Sequence, residues 1–193
     1  MAMPAARRAV AGSLARAAAC EELAFECHGT RVRVRSDDAS VLAAVARRLP
    51  PGATPCTSAR AHVAYRVRHA GRRAPGETPY QLAVRGAPPT GCGEVAHVRD
   101  AATAAALLLD DLEFRVALHA PDRLFVHAAA VAWHGRVVAI PGRSFAGKST
   151  LAAALVRAGA HYYSDEFTVL DDRGLVLPFP RPLHLRAADG SAR

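Results

Sequence analysis

One short segment has the residue types and the spacing needed to bind phosphate. Residues 142–149 read GRSFAGKS, which fits the pattern G-x-x-x-x-G-K-[ST]. An apolar strand pattern, VVAI, precedes the segment, and a helical pattern, STLAAALVRAG, follows it. Glycines let backbone N–H groups approach phosphate oxygens, and the N-terminus of a helix favours negative charge. The segment therefore predicts a phosphate-binding loop (P-loop) for ATP or GTP with Mg²⁺.

The side chains of this loop have separate predicted roles. Lys148 is expected to reach the β- and γ-phosphates, and the Ser149 hydroxyl is expected to ligate Mg²⁺. Thr150 is expected near the α-phosphate. The complete predicted nucleotide-binding set is Gly142, Arg143, Ser144, Phe145, Ala146, Gly147, Lys148, Ser149 and Thr150.

The use of lysine in this loop is unusual for this chain. Of the 25 basic residues, 24 are arginines, and Lys148 is the single lysine. A compact ammonium on a flexible stem fits between the β- and γ-phosphates, whereas a planar guanidinium is wider and prefers bidentate partners. The lysine therefore favours a phosphate-binding loop over a turn that merely caps a helix.

Two further features could take part in chemistry. Asp165 and Glu166 follow a short strand pattern, HYYS. An acidic residue at a strand end can hold Mg²⁺ through water or accept the proton of an attacking hydroxyl, although an acidic pair in a turn is usually a solvated surface feature. His127 lies in the strand pattern LFVHAAAV, where a histidine on its own is more often a hydrogen-bonded core residue.

Residues 123–180 resemble the catalytic domain of HPr kinase/phosphorylase and its stand-alone relatives. A strand histidine, a P-loop and an acidic pair occur in that order and at similar spacing in that family. The resemblance implies a fold akin to ATP-type phosphoenolpyruvate carboxykinase, with phosphorylation of a serine hydroxyl. It also implies that the first acid acts as the base towards that hydroxyl and that the histidine lies close to the phosphates. The implied catalytic set is Asp165, Glu166, His127 and Lys148, and the predicted Mg²⁺ ligands are Ser149, Asp165 and Glu166.

The chain also departs from the family pattern. Glu166 stands where the family has a second aspartate, Ala128 stands where glycine is usual, and Phe145-Ala146 occupy the middle of the loop. No segment matches the family's later substrate-contacting motif, so a divergent or C-terminally shortened relative is expected. The stretch LPFPRPLHLR resembles those relatives that lie in pathways modifying ribosomal peptides.

The sequence therefore predicts a cytoplasmic ATP-dependent kinase that transfers the γ-phosphoryl group to a serine hydroxyl of a protein or peptide. A small-molecule kinase is one alternative, but such enzymes usually open with their P-loop, whereas here the loop begins at Gly142. A nucleotide-dependent binding or assembly module without phosphoryl transfer is the other. A homo-oligomer is compatible with either.

The elements that must position these residues form two predicted regions in an α/β fold. Residues 1–120 are expected to form an N-terminal α+β region, and residues 121–193 a P-loop nucleotide-binding core. In the first region, period-2 patterns predict a hairpin over Glu22–Arg35 and further strands in AHVAYRVRH, YQLAVRG and GEVAHV. Helices are predicted after the capping residues Asp38 and Asp100, and another over the arginine- and alanine-rich first 20 residues.

Composition excludes several classes of protein. The formal net charge of +8 comes from arginines scattered along the chain, so a nucleic-acid partner is not expected. No run of about 18 apolar residues could span a membrane. The cysteines have no C-x-x-C spacing, which argues against a zinc site and predicts reduced, mostly buried thiols at Cys20, Cys27, Cys56 and Cys92.

Overall fold

The structure, a computed structural model, describes residues 22–58, 60–70, 78–86 and 91–181. Within these ranges the chain is mixed α/β, with two sheets and three helices, as the sequence predicts. The chain divides into two units, Met1–Pro121 and Asp122–Arg193. The predicted N-terminal helix and the second half of the proline-containing stretch LPFPRPLHLR lie outside the described residues. The three helices are α1 (Ala39–Arg47), α2 (Ala101–His119) and α3 (Lys148–Arg157).

The N-terminal unit contains a six-stranded sheet in the order β3-β1-β2-β4-β5-β6. Its strands are β1 (Glu22–Cys27), β2 (Thr30–Ser36), β3 (Thr54–Pro55), β4 (Val63–His69), β5 (Tyr80–Gly86) and β6 (Cys92–Val98). The predicted hairpin and the three further predicted strands are all confirmed. Neighbouring strands are antiparallel except for the parallel pair β2 and β4, which the chain connects through α1.

The two helices of this unit begin where the sequence predicts. Asp38 caps α1 by accepting a hydrogen bond of 2.8 Å from the Ser40 N–H, and Asp100 caps α2 by accepting one of 2.8 Å from the Thr103 N–H. Such caps satisfy N–H groups that a helix leaves without partners. The strands alternate buried and more exposed residues, and their buried side chains form the core with those of the helices. Its largest members include Tyr65, Phe25, Leu23, Leu42, Leu82, Leu108 and Leu112.

A polar network inside this unit joins β4 to α2. The Tyr65 hydroxyl donates a hydrogen bond of 2.7 Å to Asp111 Oδ2, and Arg115 Nε donates one of 2.6 Å to the same oxygen. Burial, followed by the neighbouring Asp111 carboxylate, raises the pKa of Tyr65, so the hydroxyl stays protonated as a donor. The network satisfies the polar groups of a tyrosine that is otherwise packed in the core.

We expect Tyr65→Phe to lower the free energy of unfolding by about 1–3 kcal/mol, because a hydrogen bond to a partly buried charged group is lost. Tyr80→Phe is the matched control, since Tyr80 also donates its hydroxyl to a carboxylate, that of Asp38. Tyr80 is 8% exposed and Tyr65 only 2%, so the loss of the Tyr80 hydrogen bond should cost less, below about 1 kcal/mol. Urea titrations followed by circular dichroism measure both variants, and equal losses would contradict the importance of the buried network.

The C-terminal unit is organised around one long central strand, β7 (Leu124–Trp133). The β7 strand pairs with β8 (Arg136–Pro141) on one side, and successive parts of it pair with β9 (His161–Ser164) and β10 (Phe167–Leu170). The short strand β11 (Val176–Leu177) extends the sheet beyond β10. All of these pairings are antiparallel. The turn at His134-Gly135 folds β8 directly back onto β7.

This arrangement makes β8 and β9 parallel to each other. Residues 130–132 of β7 pair with both strands, so β8 and β9 must flank β7 on opposite sides, and each is antiparallel to it. Helix α3 connects them, which gives a β-α-β crossover with β7 between its two strands. The predicted α/β character of this unit therefore comes from a crossover over an antiparallel strand rather than from an adjacent parallel pair.

The cysteine environments differ from one another. Cys27 is buried, Cys56 is half-buried and Cys92 is exposed, so the prediction of mostly buried thiols is wrong for Cys92, which begins the edge strand β6. Cys20 lies outside the described residues. Burial raises the pKa of Cys27 to about 12, so its thiol is unreactive near neutral pH.

The described helices include none with the length and apolar character needed to cross a bilayer.

Candidate active site

The register of the C-terminal sheet brings the candidate residues to one place on β7. Pro141, the last residue of β8, pairs with Ala128, and Ser164, the last residue of β9, pairs with Ala130. Phe167, which begins β10, pairs with His127. The predicted P-loop follows β8, and the Asp165-Glu166 pair follows β9. The two segments therefore begin on opposite sides of β7, next to its residues His127–Ala130. In α/β structures, ligands bind at such carboxyl ends of parallel strands.

The loop leaves its backbone donors available. Gly147 is the N-cap of α3 with φ 85° and ψ 15°, a left-handed conformation that favours glycine, and no side chain caps the helix. The Leu151 N–H bonds to the Gly147 carbonyl at 2.9 Å, so the N–H groups of the preceding first turn have no partner within the helix. These donors and the positive end of the helix dipole make a site for an anion.

The start of the loop favours glycine. A Cβ at Gly142 would lie 3.3 Å from the Ala146 Cβ and 3.4 Å from the Lys148 Cγ, so a larger residue would fit only if these side chains shifted by a few tenths of an ångström. The middle of the loop is exposed, and Phe145 is 83% exposed with φ 69°, an unfavourable conformation for a large residue. The loop thus keeps a tight shape in which its central side chains point away from the core.

Lys148 lies across the loop and against the histidine. Its Nζ donates to the carbonyl oxygens of Gly142 at 2.9 Å and Arg143 at 3.2 Å, and it lies 3.3 Å from His127 Nε2. An ammonium can only donate, so this contact places the lone pair of the neutral imidazole on Nε2 and the proton on Nδ1. His127 Nδ1 in turn lies 3.4 Å from Glu166 Oε1. Lys148, His127 and Glu166 therefore form one connected row.

The family resemblance implies that His127 lies close to the phosphates, and the sequence also contains a local signal for its contact with the loop. In the β7–β8 hairpin, Trp133 pairs with Arg136 and Ala128 pairs with Pro141. Counting one step further places His127 opposite Gly142, the first residue of the loop. The two-residue turn at His134-Gly135 thus fixes which strand residue borders the predicted phosphate site.

The two acidic residues have different surroundings. Asp165 Oδ1 is buried and has no hydrogen-bond partner among the described residues, whereas the Glu166 side chain is 45% exposed and faces His127. The buried Ser164 hydroxyl accepts a hydrogen bond of 3.2 Å from the Phe167 N–H across the acidic pair, which holds the turn in place. A buried carboxylate oxygen without a partner is costly, so Asp165 is suited to accept a proton donor or a cation.

The residues present fit a magnesium ion that arrives with a triphosphate. The described ranges hold no cluster of three or more His, Cys, Asp or Glu side chains that would bind a metal without further ligands. Mg²⁺ usually takes one or two carboxylates, several waters and the substrate phosphates. The unpartnered Asp165 oxygen and the Ser149 hydroxyl at the start of α3 are donors of the preferred kind.

Comparisons of the chain with protein-family models, with curated proteins and with solved structures give no match. The similarity to HPr kinase/phosphorylase therefore stays a prediction. The chemistry open to the site is therefore inferred from its own geometry. A helix N-terminus and a lysine that can bind an anion lie on one side of β7, and a partly buried acid lies on the other.

Proposed function

We propose that this protein is an ATP-dependent kinase that transfers the γ-phosphoryl group to a serine hydroxyl of a protein or peptide. The observation that supports it most strongly is the meeting of two strand ends on either side of β7. One ends in a loop with unpaired helix N–H donors and Lys148, and the other in Asp165 with its unpartnered, buried oxygen. A P-loop core similar to that of HPr kinase and a cytoplasmic location are parts of the same proposal.

The loop and its helix would bind the nucleotide. The first-turn N–H groups of α3 and the Lys148 ammonium would hold the phosphates, and Ser149 would ligate Mg²⁺ directly, with the acidic pair reaching the ion through its bound water. When bound, Mg²⁺ neutralises charge across the β- and γ-phosphates. His127, which contacts both Lys148 and Glu166, is a positioning residue that keeps the lysine over the loop.

Asp165 would bind the hydroxyl that accepts the phosphoryl group. Its Oδ1 would accept a hydrogen bond from the serine hydroxyl and so orient the lone pair of the serine oxygen towards the γ-phosphorus. It would take the hydroxyl proton as the new P–O bond forms, while the bond from the γ-phosphorus to the β,γ-bridging oxygen breaks and ADP leaves. Because the phosphoryl group passes through a loose transition state, positioning and charge stabilisation contribute most of the rate. A binding module without phosphoryl transfer would use Asp165 only towards Mg²⁺, and not as a proton acceptor.

The proposal is tested with ATP labelled on its γ-phosphate, Mg²⁺ and two libraries of short peptides that differ only in one serine or alanine. We expect label in the serine library, and none when Lys148→Ala protein replaces the wild type, which controls for contaminating kinases. Bound ATP without transfer to any peptide would instead indicate the binding module. Transfer only to small hydroxyl compounds such as glycerol would indicate a small-molecule kinase.

We expect Ser149→Ala to weaken ATP binding mainly when Mg²⁺ is present, because its hydroxyl is assigned to the metal rather than to a phosphate. Calorimetric titrations with Mg²⁺ and with EDTA separate the two conditions. Thr150→Ala, the neighbouring hydroxyl on the same helix turn, is the matched control and should not show this metal dependence. An equal loss with and without the metal would contradict the role of Ser149.

A further inference from the structure

The N-terminal sheet has a second face that is rich in arginine. Along β2, β4 and β5, buried side chains alternate with side chains that point to the opposite face. Cross-strand pairing places these outward residues side by side, since residues that pair across strands share a face. We call this surface the arginine face, and it is defined by Arg31, Arg33, Arg35, Arg66, Arg68 and Arg85.

Small residues separate these arginines. Arg33 pairs with Ala24 on one side and Ala64 on the other, and Ala64 pairs in turn with Arg85. In the next row Arg66 pairs with Ala83. The alternation of long and short side chains leaves a groove of about 780 Å³ over the middle strands, lined by residues that include Arg33, Arg60, Arg66, Arg85 and Cys92.

Only one part of this positive charge is neutralised within the described residues. Glu22 forms ion pairs with Arg33 at 3.2 Å and with Arg35 at 2.5 Å. Glu94, which lies beside Ala83, is already engaged by Gln81 and His97. By contrast, the exposed side chains of Arg66, Arg68 and Arg85 make no ion pair or hydrogen bond with any residue in the described part of the chain.

Like charges lie next to each other on this face with incomplete compensation. Arg35 and Arg66 pair across the parallel strands β2 and β4, and among the described residues Glu22 forms an ion pair with Arg35 but not with Arg66. A sequence that accepts such a conflict on an exposed face usually does so for function. The missing element is negative charge, which a binding partner would supply.

The spacing of the arginines indicates the form of that partner. Arg66 and Arg68 are two residues apart on one strand, so their side chains repeat at about 7 Å, which is also the repeat of alternate side chains in an extended peptide. Guanidinium groups match carboxylates in bidentate geometry. Surfaces that bind single-stranded nucleic acid add aromatic rings for base stacking, but the outward positions of β2, β4 and β5 carry none, because Tyr65 and Tyr80 are on the buried face.

We propose that the arginine face binds an extended acidic segment of a partner protein, in which carboxylates at alternate positions pair with Arg66, Arg68 and Arg85. This docking site belongs to the N-terminal unit alone. The test of this docking site needs neither nucleotide nor phosphoryl transfer. The kinase proposal can therefore be disproved without affecting the docking proposal, and the docking proposal can be disproved without affecting the kinase proposal.

Fluorescence anisotropy with a labelled ten-residue peptide of alternating Glu and Ser tests the proposal at low ionic strength. We expect saturable binding that weakens with salt, no binding of the Gln-Ser version, and a loss of about tenfold or more in the triple variant Arg66→Gln, Arg68→Gln, Arg85→Gln. The matched control Arg47→Gln, Arg48→Gln, Arg157→Gln removes the same charge from exposed arginines elsewhere and should change affinity by less than about threefold.

A second measurement uses the unchanged protein. Cys92 is exposed and pairs with Arg85, so the bound peptide should slow its alkylation by N-ethylmaleimide, read site by site by mass spectrometry. Cys56, which follows β3 at the other edge of the sheet, should react at an unchanged rate.

Three results would overturn the proposal. Absence of peptide binding would do so, as would equal losses in the two triple variants, since net charge alone would then explain the binding. A thymidine oligonucleotide that binds more tightly than the peptide, and loses affinity in the Arg66, Arg68 and Arg85 variant, would assign the face to nucleic acid instead.

Discussion

Replacing Lys148 with alanine is expected to weaken ATP binding by about 10- to 100-fold and to leave the fold intact. Charge-assisted hydrogen bonds to phosphate contribute about 1.5–3 kcal/mol, which corresponds to that range of affinity. The fold should not change, because Nζ contacts only the carbonyl oxygens of Gly142 and Arg143 and the exposed His127 ring within the described residues, and water can reach these groups once the side chain is removed.

Calorimetric titration with ATP and Mg²⁺ measures the affinity, and circular dichroism checks the fold. Arg157→Ala is the matched control, because it removes a positive charge from the other end of α3 and should leave affinity within about twofold. Lys148→Arg should bind as poorly as the alanine variant, since a guanidinium is too wide for the space between the β- and γ-phosphates. Unchanged affinity in Lys148→Ala would remove the phosphate-binding role of the loop.

The elements of the fold could be predicted because their signals are local. The caps at Asp38 and Asp100, and the alternation in strands β1, β2, β4 and β5, lie within a few residues of the features they determine. The parallel pairing of β2 with β4 could not be predicted, because it depends on how α1 and the segment after it pack. Helical and strand periodicity indicate which residues face a core but not which strands become neighbours.

The candidate site likewise has some features that the sequence predicts and others that only the structure shows. Eight consecutive residues are enough to predict the loop, and the contact between His127 and Lys148 follows from the register of the β7–β8 hairpin. The contact between His127 and Glu166 depends on the pairing of β10 with β7, which are separated by α3 and β9 in the chain. Only the folded structure distinguishes the buried oxygen of Asp165 from the exposed side chain of its neighbour.

The distribution of arginine illustrates the limit of reading charge along a chain. Arg33, Arg66 and Arg85 are far apart in sequence, and the arginines therefore look scattered. The sheet registers place them on one face, where the two strand pairings bring residues from three strands together. A charge pattern with period 2 within strands is the signal that indicates a charged sheet face.

Asp165→Asn is expected to reduce phosphoryl transfer by about 10²–10⁴-fold while ATP binding stays nearly unchanged, the pattern of a positioned general base. Asparagine keeps the size of the side chain but cannot take the proton. Since the buried Asp165 Oδ1 has no partner, removing the charge should not lower stability, and a melting temperature equal to or above that of the wild type is expected.

The measurements on Asp165→Asn separate three roles. A base loses transfer alone, a Mg²⁺ ligand loses nucleotide affinity together with the rate, and a surface turn residue loses neither. Glu166→Gln is the matched control, because it neutralises the adjacent carboxylate, which faces His127 rather than lying buried without a partner. Its transfer rate should fall less than that of Asp165→Asn. A rate for Asp165→Asn within a few-fold of wild type would exclude Asp165 as the base and would favour a nucleotide-binding module over a kinase.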